Sequence, residues 1–261
     1  MKKNFKVLIA IIAVVSFSAC SKTGPAGPTG SQGPAGPSYT GTLSGHVDLY
    51  DQYGSQILNS KSTRVILYNS NNMQIDSMNA DSTGKYAFNS IRTGIYTLAF
   101  RDSGYGQELH QDFQFLGGGV LNIDGKISKI PNFNITSITS DSINHTTGNV
   151  VLSCSINTDS KTRALLIFAA GNSLVSSSPV NYLTFISQNV KANVTSVVIN
   201  FPLNNLYNAG LNSGSTVYFA IYGAASNYSS SSTYEDLNTG RTIINAVSPA
   251  MYSPVPSAVL P

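Results

Sequence analysis

The side chains that most often perform covalent or metal chemistry are scarce in this chain. Its 261 residues include two cysteines and three histidines, and only 10% of all residues are charged. The histidines, His46, His110 and His145, are scattered, and no two have the spacing of metal ligands. No serine lies in a G-x-S-x-G elbow. The sequence therefore predicts no catalytic residue, no metal site and no cofactor, and we expect a protein that is not an enzyme.

Two carboxylates are adjacent at Glu235 and Asp236, within the polar segment ASNYSSSSTYEDLNTGR, residues 225–241. Glycosidase chemistry needs two apposed carboxylates, and adjacent side chains of an extended chain point apart. Two interpretations remain open. The pair either solvates a loop or helps to bind Ca²⁺ together with Asn238.

The same segment, the longest polar connection in its half of the chain, holds two tyrosines that the strand pattern does not place in a core. Loops on a rigid β scaffold commonly carry binding residues, and aromatic side chains dominate interface energetics. A Ser-rich stretch is equally typical of a mobile loop with no role. The candidate ligand-binding residues are Tyr228, Tyr234, Glu235 and Asp236.

Cys154 alternates with polar residues in a predicted strand and shares one face with Val150, Leu152 and Ile156. We therefore expect a buried, unpaired thiol that serves packing. No disulfide framework exists, so stability must come from hydrophobic cores.

Cys20 follows a segment that predicts secretion. Residues 1–19 begin with three lysines and continue with an apolar run, 7–15, which is too short to cross a bilayer. The segment FSAC, residues 17–20, resembles the lipobox of bacterial lipoproteins, with Phe17 in place of the usual Leu. The resemblance implies cleavage before Cys20 and diacylglycerol on its thiol. An ordinary signal peptide with an incidental cysteine is the alternative.

The predicted processing changes the charge balance. Three of the 15 basic residues leave with the signal peptide, so the remainder balances the 12 acidic residues. No basic patch indicates a nucleic-acid partner. Because Ser21 rather than Asp follows Cys20, the pattern resembles that of lipoproteins sorted to the outer membrane. We expect a cell-envelope protein held to the membrane by its N-terminal lipid; whether it faces the periplasm or the outside stays open.

Residues 24–38, GPAGPTGSQGPAGPS, are five Gly-X-Y triplets. A collagen triple helix requires Gly at every third position, and this register breaks at Tyr39. Five triplets are too few to hold three chains together unaided, whereas Pro-rich chain favours extended polyproline II. We expect residues 20–40 to be a tether and the protein to be a monomer, with a trimer as the alternative.

Residues 41–128 show short runs in which apolar and polar residues alternate, the pattern of half-buried β-strands. Seven such runs predict a β-sandwich. The alternation places His46 and His110 on the solvent side of their strands. It also groups Leu109 with the apolar residues Phe113 and Phe115.

One segment of this region is more specific. Residues 81–105, DSTGKYAFNSIRTGIYTLAFRDSGY, predict a hairpin that ends in a Gly-Tyr loop. With GHVDLYDQYG and RVILYN upstream, the region resembles the carboxypeptidase regulatory-like domain. The resemblance implies a transthyretin-like sandwich with an accessory, stalk or anchoring role and no chemistry of its own.

Residues 131–261 form a second strand-rich region. The run ALLIFAA, residues 164–170, is apolar throughout, as expected for a central strand covered on both faces. Residues 206–223 resemble the E-to-F corner and F strand of a fibronectin type III domain, and a short helical turn is expected near 203–211. The predicted fold is all-β, with two tandem sandwiches, transthyretin-like and then immunoglobulin/fibronectin III-like, behind a signal peptide and an extended linker.

The function expected from the sequence is non-enzymatic. A lipid-anchored structural or adhesive binding module with an unknown protein partner fits the scarcity of reactive side chains. The alternative is a glycan-binding accessory lipoprotein, because aromatic faces stack on sugars and the second region is rich in tyrosine. These tyrosines are Tyr182, Tyr207, Tyr218, Tyr222, Tyr228, Tyr234 and Tyr252.

The lipid anchor generates a testable prediction. We expect Cys20→Ala to move the protein from the membrane to the soluble fraction, because the lipidated cysteine is the only membrane-affine feature left after processing. Cell fractionation with immunoblotting measures the distribution. Cys154→Ala is the matched control and should stay with the membrane; a Cys20→Ala protein that also stays there would contradict the anchor.

Overall fold

The computed structural model describes residues 39–132, 135–248 and 256–261, apart from the side chain of Asp141. The predicted signal peptide, Cys20, the collagen-like triplets and Tyr252 lie outside the described residues. The regular secondary structure of the described chain is almost entirely β, which confirms the all-β prediction. No helix in this part of the chain is long and apolar enough to cross a membrane.

Residues 40–128 form two sheets that pack face to face. In the first sheet, β1 pairs with every other strand, and in the second sheet the strand order is β4-β3-β6-β7. The first sheet contains β1 (Thr40–Tyr50), β2 (Gln56–Ile57), β5 (Lys85–Arg92), β8 (Val120–Asn122) and β9 (Gly125–Ser128). The second contains β3 (Arg64–Asn69), β4 (Gln74–Asn79), β6 (Gly94–Arg101) and β7 (Glu108–Phe115).

The core of this first sandwich consists of apolar residues from the inner faces of both sheets. The alternation that the sequence shows in β1 is present, because Leu43, Val47 and Leu49 are all buried. They pack with inward side chains of the facing sheet, among them Leu67, Leu98 and Phe100.

One β-bulge interrupts the pairing of β6 with β7. Tyr96 lies opposite Phe113 and Leu98 lies opposite His110, so one residue of β6 between these pairs matches two of β7. The extra residue leaves Asp112 with a left-handed backbone, φ +49°. A bulge of one residue moves the following side chains to the opposite face of the sheet.

The bulge corrects two expectations from simple alternation. His110 lies on the core side, with its ring 5.8 Å from the ring of Phe100, although alternation placed it towards solvent. Leu109 is opposite Ala99 on the outer face of the sheet, whereas Phe115 is buried in the core. The sequence pattern therefore grouped residues that the bulge separates.

Residues 135–248 and 256–261 form a second pair of sheets and a separate hairpin. A three-stranded sheet has the order β10-β11-β14, a four-stranded sheet has the order β13-β12-β15-β18, and β16 and β17 form a separate hairpin. The strands are β10 (Ile135–Asn144), β11 (Asn149–Ile156), β12 (Arg163–Ala170), β13 (Thr184–Val190), β14 (Ser196–Pro202), β15 (Thr216–Ala224), β16 (Thr233–Asp236), β17 (Arg241–Ile244) and β18 (Ser257–Val259). The expected short helix is present as α1, Leu203–Asn208.

The four-stranded sheet of this second sandwich is covered on both faces. Residues such as Leu165 and Ile167 of β12 join the core shared with the three-stranded sheet. On the other face, Leu166 and Phe168 pack with Tyr182 of a connecting segment and with Ile244 of β17. Every residue of β12 is buried, which confirms the prediction of a central strand covered on both sides. The finer family assignments of the two sandwiches stay predictions.

Cys154 supplies a test of this core. It is 2% exposed, and burial raises the pKa of its thiol to about 11. Because the thiolate is the reactive form, we expect a Cys20→Ser variant in neutral buffer to resist an aromatic disulfide reagent until guanidinium chloride unfolds it. Absorbance of the released thiolate measures the reaction. Rapid modification of the native protein, absent from a variant that also carries Cys154→Ser, would contradict the buried placement.

Candidate functional site

The two sandwiches meet along a polar seam, formed by Gly106, Lys126 and Ser128 of the first and by Ser231 and Ser232 of the second. The backbone N–H of Ser232 donates to the Lys126 carbonyl oxygen at 2.7 Å. Its Oγ accepts the Ser128 backbone N–H at 2.8 Å and donates to the Gly106 carbonyl oxygen at 3.1 Å. The three serines are fully buried. Each sandwich therefore satisfies buried polar groups of the other.

The approach of the two backbones along the seam is close. A Cβ added at Gly106 would lie 2.7 Å from the backbone nitrogen of Ala246 and 2.7 Å from the Cβ of Ser232. Side chains extend the seam, since Asn245 Nδ2 donates to the Gln107 carbonyl oxygen at 3.0 Å. Only a residue without a side chain fits at position 106 without moving backbone.

A second polar contact between the sandwiches lies near the turn that follows β1. The Tyr53 hydroxyl donates to Asp159 Oδ2 at 2.7 Å. This hydrogen bond raises the pKa of Tyr53 and lowers the pKa of Asp159. The ammonium of Lys161 lies 4.5 Å from the centre of the Tyr53 ring. The contact is partly exposed, so we expect it to orient the sandwiches more than to stabilise them.

The β16–β17 hairpin is also fixed to the second sandwich. The Tyr182 hydroxyl donates to the Thr242 carbonyl oxygen at 2.6 Å. The Arg241 guanidinium donates to the Pro179 carbonyl oxygen at 2.8 Å and lies 5.7 Å from the centre of the Tyr182 ring. The hairpin is therefore held at Thr242 and Arg241 from one side and by the seam from the other.

A polar groove of about 460 Å³ lies between the hairpin tip and the outer face of the β4-β3-β6-β7 sheet. The hairpin contributes Asp236, Leu237 and Asn238, and the sheet contributes the rest of the lining. The residues that define the groove by their chemistry are Tyr68, Arg101, Gln111, Asp112, Asp236 and Asn238. The site is thus built from both sandwiches.

The bulge in β7 places two polar side chains in the groove. Gln111 and Asp112 both line it, and the Asp112 backbone N–H donates to Thr97 Oγ1 at 3.3 Å. A left-handed backbone costs a non-glycine residue about 1 kcal/mol, and such conformations concentrate at functional sites. Regular pairing would send neighbouring side chains to opposite faces, so the bulge is what brings both to one surface.

Tyr68 and Arg101 form the aromatic and cationic part of the groove. Tyr68 is half-buried at the end of β3, beside a shift in the β3–β4 pairing. The Arg101 guanidinium carbon lies 6.0 Å from the centre of the Tyr68 ring, within the range of a cation–π contact. Among the described residues, the ion pairs involve only histidines, so no salt bridge joins Arg101 to Asp112 or Asp236.

The tyrosines selected from the sequence do not line the groove. Tyr228 is half-buried and packs against the cluster on the outer face of β12 and β15, so it has the core contact that strand alternation did not reveal. Tyr234 is half-buried in β16, opposite Ile243. Their roles as binding anchors stay predictions.

The two selected carboxylates lie in different surroundings. Glu235 is exposed, and Asp236 is half-buried and lines the groove. Asp236 Oδ2 also accepts the backbone N–H and the hydroxyl of Thr239, at 3.0 and 2.6 Å, and so closes the hairpin turn. In the part of the chain that the structure describes, no three His, Cys, Asp or Glu side chains come together as a metal site.

The sequence predicted one long polar loop at residues 225–241. In the structure, contacts with both sandwiches hold most of this segment in place. Ser231 and Ser232 are buried in the seam, and Thr233–Asp236 is a strand. The groove residues of the first sandwich, Tyr68, Arg101, Gln111 and Asp112, were missed because they lie on three different strands, which only the tertiary structure brings to one surface. In the sequence, Tyr68 was noted only as part of the motif RVILYN, which indicated a fold and not a binding site.

No family model and no curated protein matches the chain. Among solved structures, it is similar to a candidate carbohydrate-binding protein from Bacteroides uniformis, with 15% identity, 85% of this chain and 100% of that chain covered, and a TM-score of 0.32. It is also similar to a DUF3823 family protein from Parabacteroides merdae, with 16% identity, 85% and 99% coverage and a TM-score of 0.28. A DUF3823 family protein from Bacteroides ovatus has 14% identity, 85% and 100% coverage and a TM-score of 0.29.

The seam can be tested with one methyl group. We expect Gly106→Ala to lower the free energy of unfolding by about 1–3 kcal/mol, because the new Cβ overlaps backbone atoms that cannot move independently. Urea denaturation followed by circular dichroism measures the change. Gly119→Ala is the matched control, since a Cβ there meets nothing within 4 Å. Equal stabilities of the two variants would contradict the tight seam.

Proposed function

We propose that this protein is a non-enzymatic, lipid-anchored envelope protein that binds carbohydrate in the groove between the β16–β17 hairpin and the β4-β3-β6-β7 sheet. One observation carries the proposal. The groove combines an aromatic ring, Tyr68, with Arg101 and with a carboxylate that a strained bulge presents, Asp112.

The chemistry of the groove suits a sugar ring. A pyranose has an apolar C–H face, which packs on an aromatic ring, and hydroxyl groups that both donate and accept hydrogen bonds. Arg101 donates only, Asp112 accepts only, and the amides of Gln111 and Asn238 do both. The groove thus places a donor, an acceptor and two amides beside one aromatic ring.

The rest of the chain supports display of such a site. The segment FSAC predicts a lipid at Cys20, and the Gly/Pro-rich triplets that follow it in the sequence predict a tether. A tether that holds a binding domain away from a membrane allows it to reach polymers in its surroundings.

The experiment is a glycan-array screen of the chain from Ser21 onward, followed by calorimetry with the best binder. We expect Tyr68→Ala to weaken binding at least about tenfold, the usual effect of removing an aromatic anchor. Tyr39→Ala is the matched control, because Tyr39 is 56% exposed and does not line the groove.

Unchanged affinity of a folded Tyr68→Ala variant would remove the groove as the site. Silence of the whole array would remove carbohydrate binding and leave the structural or adhesive role.

A further inference from the structure

We infer that the groove accepts neutral glycan chains and excludes acidic ones, such as those containing uronic acid or sulfate. The inference rests on the proposed function, because it names the class of carbohydrate that the same groove binds. It depends on the formal charges and hydrogen-bonding roles of the lining residues.

The lining carries more negative than positive charge. Arg101 is the single cation among the lining residues, and Asp112 and Asp236 are two anions. The net formal charge of the lining is therefore negative. An acidic sugar would bring a further negative charge close to both carboxylates, where like charges oppose binding.

The one cation among the groove residues already contacts another groove side chain. The Arg101 guanidinium carbon lies 6.0 Å from the centre of the Tyr68 ring, so the cation is next to the aromatic ring on which a sugar would pack. An anionic ligand that reached Arg101 would still face Asp112, which the bulge fixes on the neighbouring strand. The geometry thus provides no separate cationic subsite among the described residues of the groove.

The hydrogen-bonding groups favour neutral diols for a second reason. No salt bridge joins Arg101 to Asp112 or Asp236 in the described part of the chain, so a donor-only and an acceptor-only group both face the groove. A pair of vicinal hydroxyls satisfies both kinds of group, because each hydroxyl donates and accepts. A carboxylate or sulfate group that took the place of one of these hydroxyls would accept only and would leave Asp112 without a donor at that position.

The test compares neutral and acidic polysaccharides of related backbone, using galactan with polygalacturonate and mannan with alginate. Affinity electrophoresis and biolayer interferometry of the chain from Ser21 onward, at low and at physiological salt, measure binding. We expect retention by at least one neutral polymer and much weaker, but at low salt still measurable, retention by its acidic counterpart.

The Asp112→Asn variant tests the cause. Asn tolerates the left-handed backbone of this position as well as Asp does, and it removes one charge while keeping an acceptor oxygen. We expect its binding to acidic polymers to exceed that of the wild type by about fivefold at low salt, the effect of one charge pair near contact distance in water. Asp76→Asn, an exposed carboxylate outside the groove, should change nothing.

Tighter binding of the acidic polymer by the wild type would overturn the inference and leave carbohydrate binding intact. Acidic-polymer binding that Asp112→Asn leaves unchanged would overturn the charge-based cause. Absence of binding to every neutral and acidic polymer would instead overturn the proposed function, and the inference with it.

Discussion

The hydrogen bonds between Ser232 and the end of β9 are the constraint on which the rest of the site depends. The second sandwich covers backbone groups of Lys126 and Ser128, and Ser232 supplies the hydrogen-bond partners that replace water there. Because an unpaired buried polar group is costly, the two sandwiches are held in one arrangement. Ser232 has a left-handed backbone, φ +56°, which the surrounding hydrogen bonds maintain. This arrangement sets the position of the β16–β17 hairpin, and the hairpin forms one wall of the groove.

The opposite wall depends on a local irregularity. The bulge at Asp112 turns Gln111 and Asp112 to the same surface and moves His110 to the core side of β7. Regular strands present every second residue to one face, so they space polar groups widely. A bulge concentrates them, and it does so here beside the one aromatic ring of the sheet that lines the groove, Tyr68.

The division of roles between the sandwiches differs from the one the sequence favoured. The first sandwich, expected only as an accessory or anchoring module, supplies the aromatic ring, the cation and the bulge of the proposed site. The second sandwich, expected to carry the binding loop, supplies the hairpin tip and fixes its position through Tyr182 and Arg241. A ligand in the groove would contact both, so binding and the docking of the sandwiches are expected to be linked.

Local patterns in the sequence determined the all-β fold, the buried thiol of Cys154 and the double-sided burial of β12, because alternation and apolar runs depend only on neighbouring residues. The expectation of a tether and a lipid at Cys20 likewise came from short motifs. The groove came only from the tertiary structure. Its residues lie on separate strands and on a hairpin, and a single bulge reversed the face that alternation assigned to Leu109 and His110. No local pattern records a register shift or a contact between residues more than a hundred positions apart, such as that of Ser128 with Ser232.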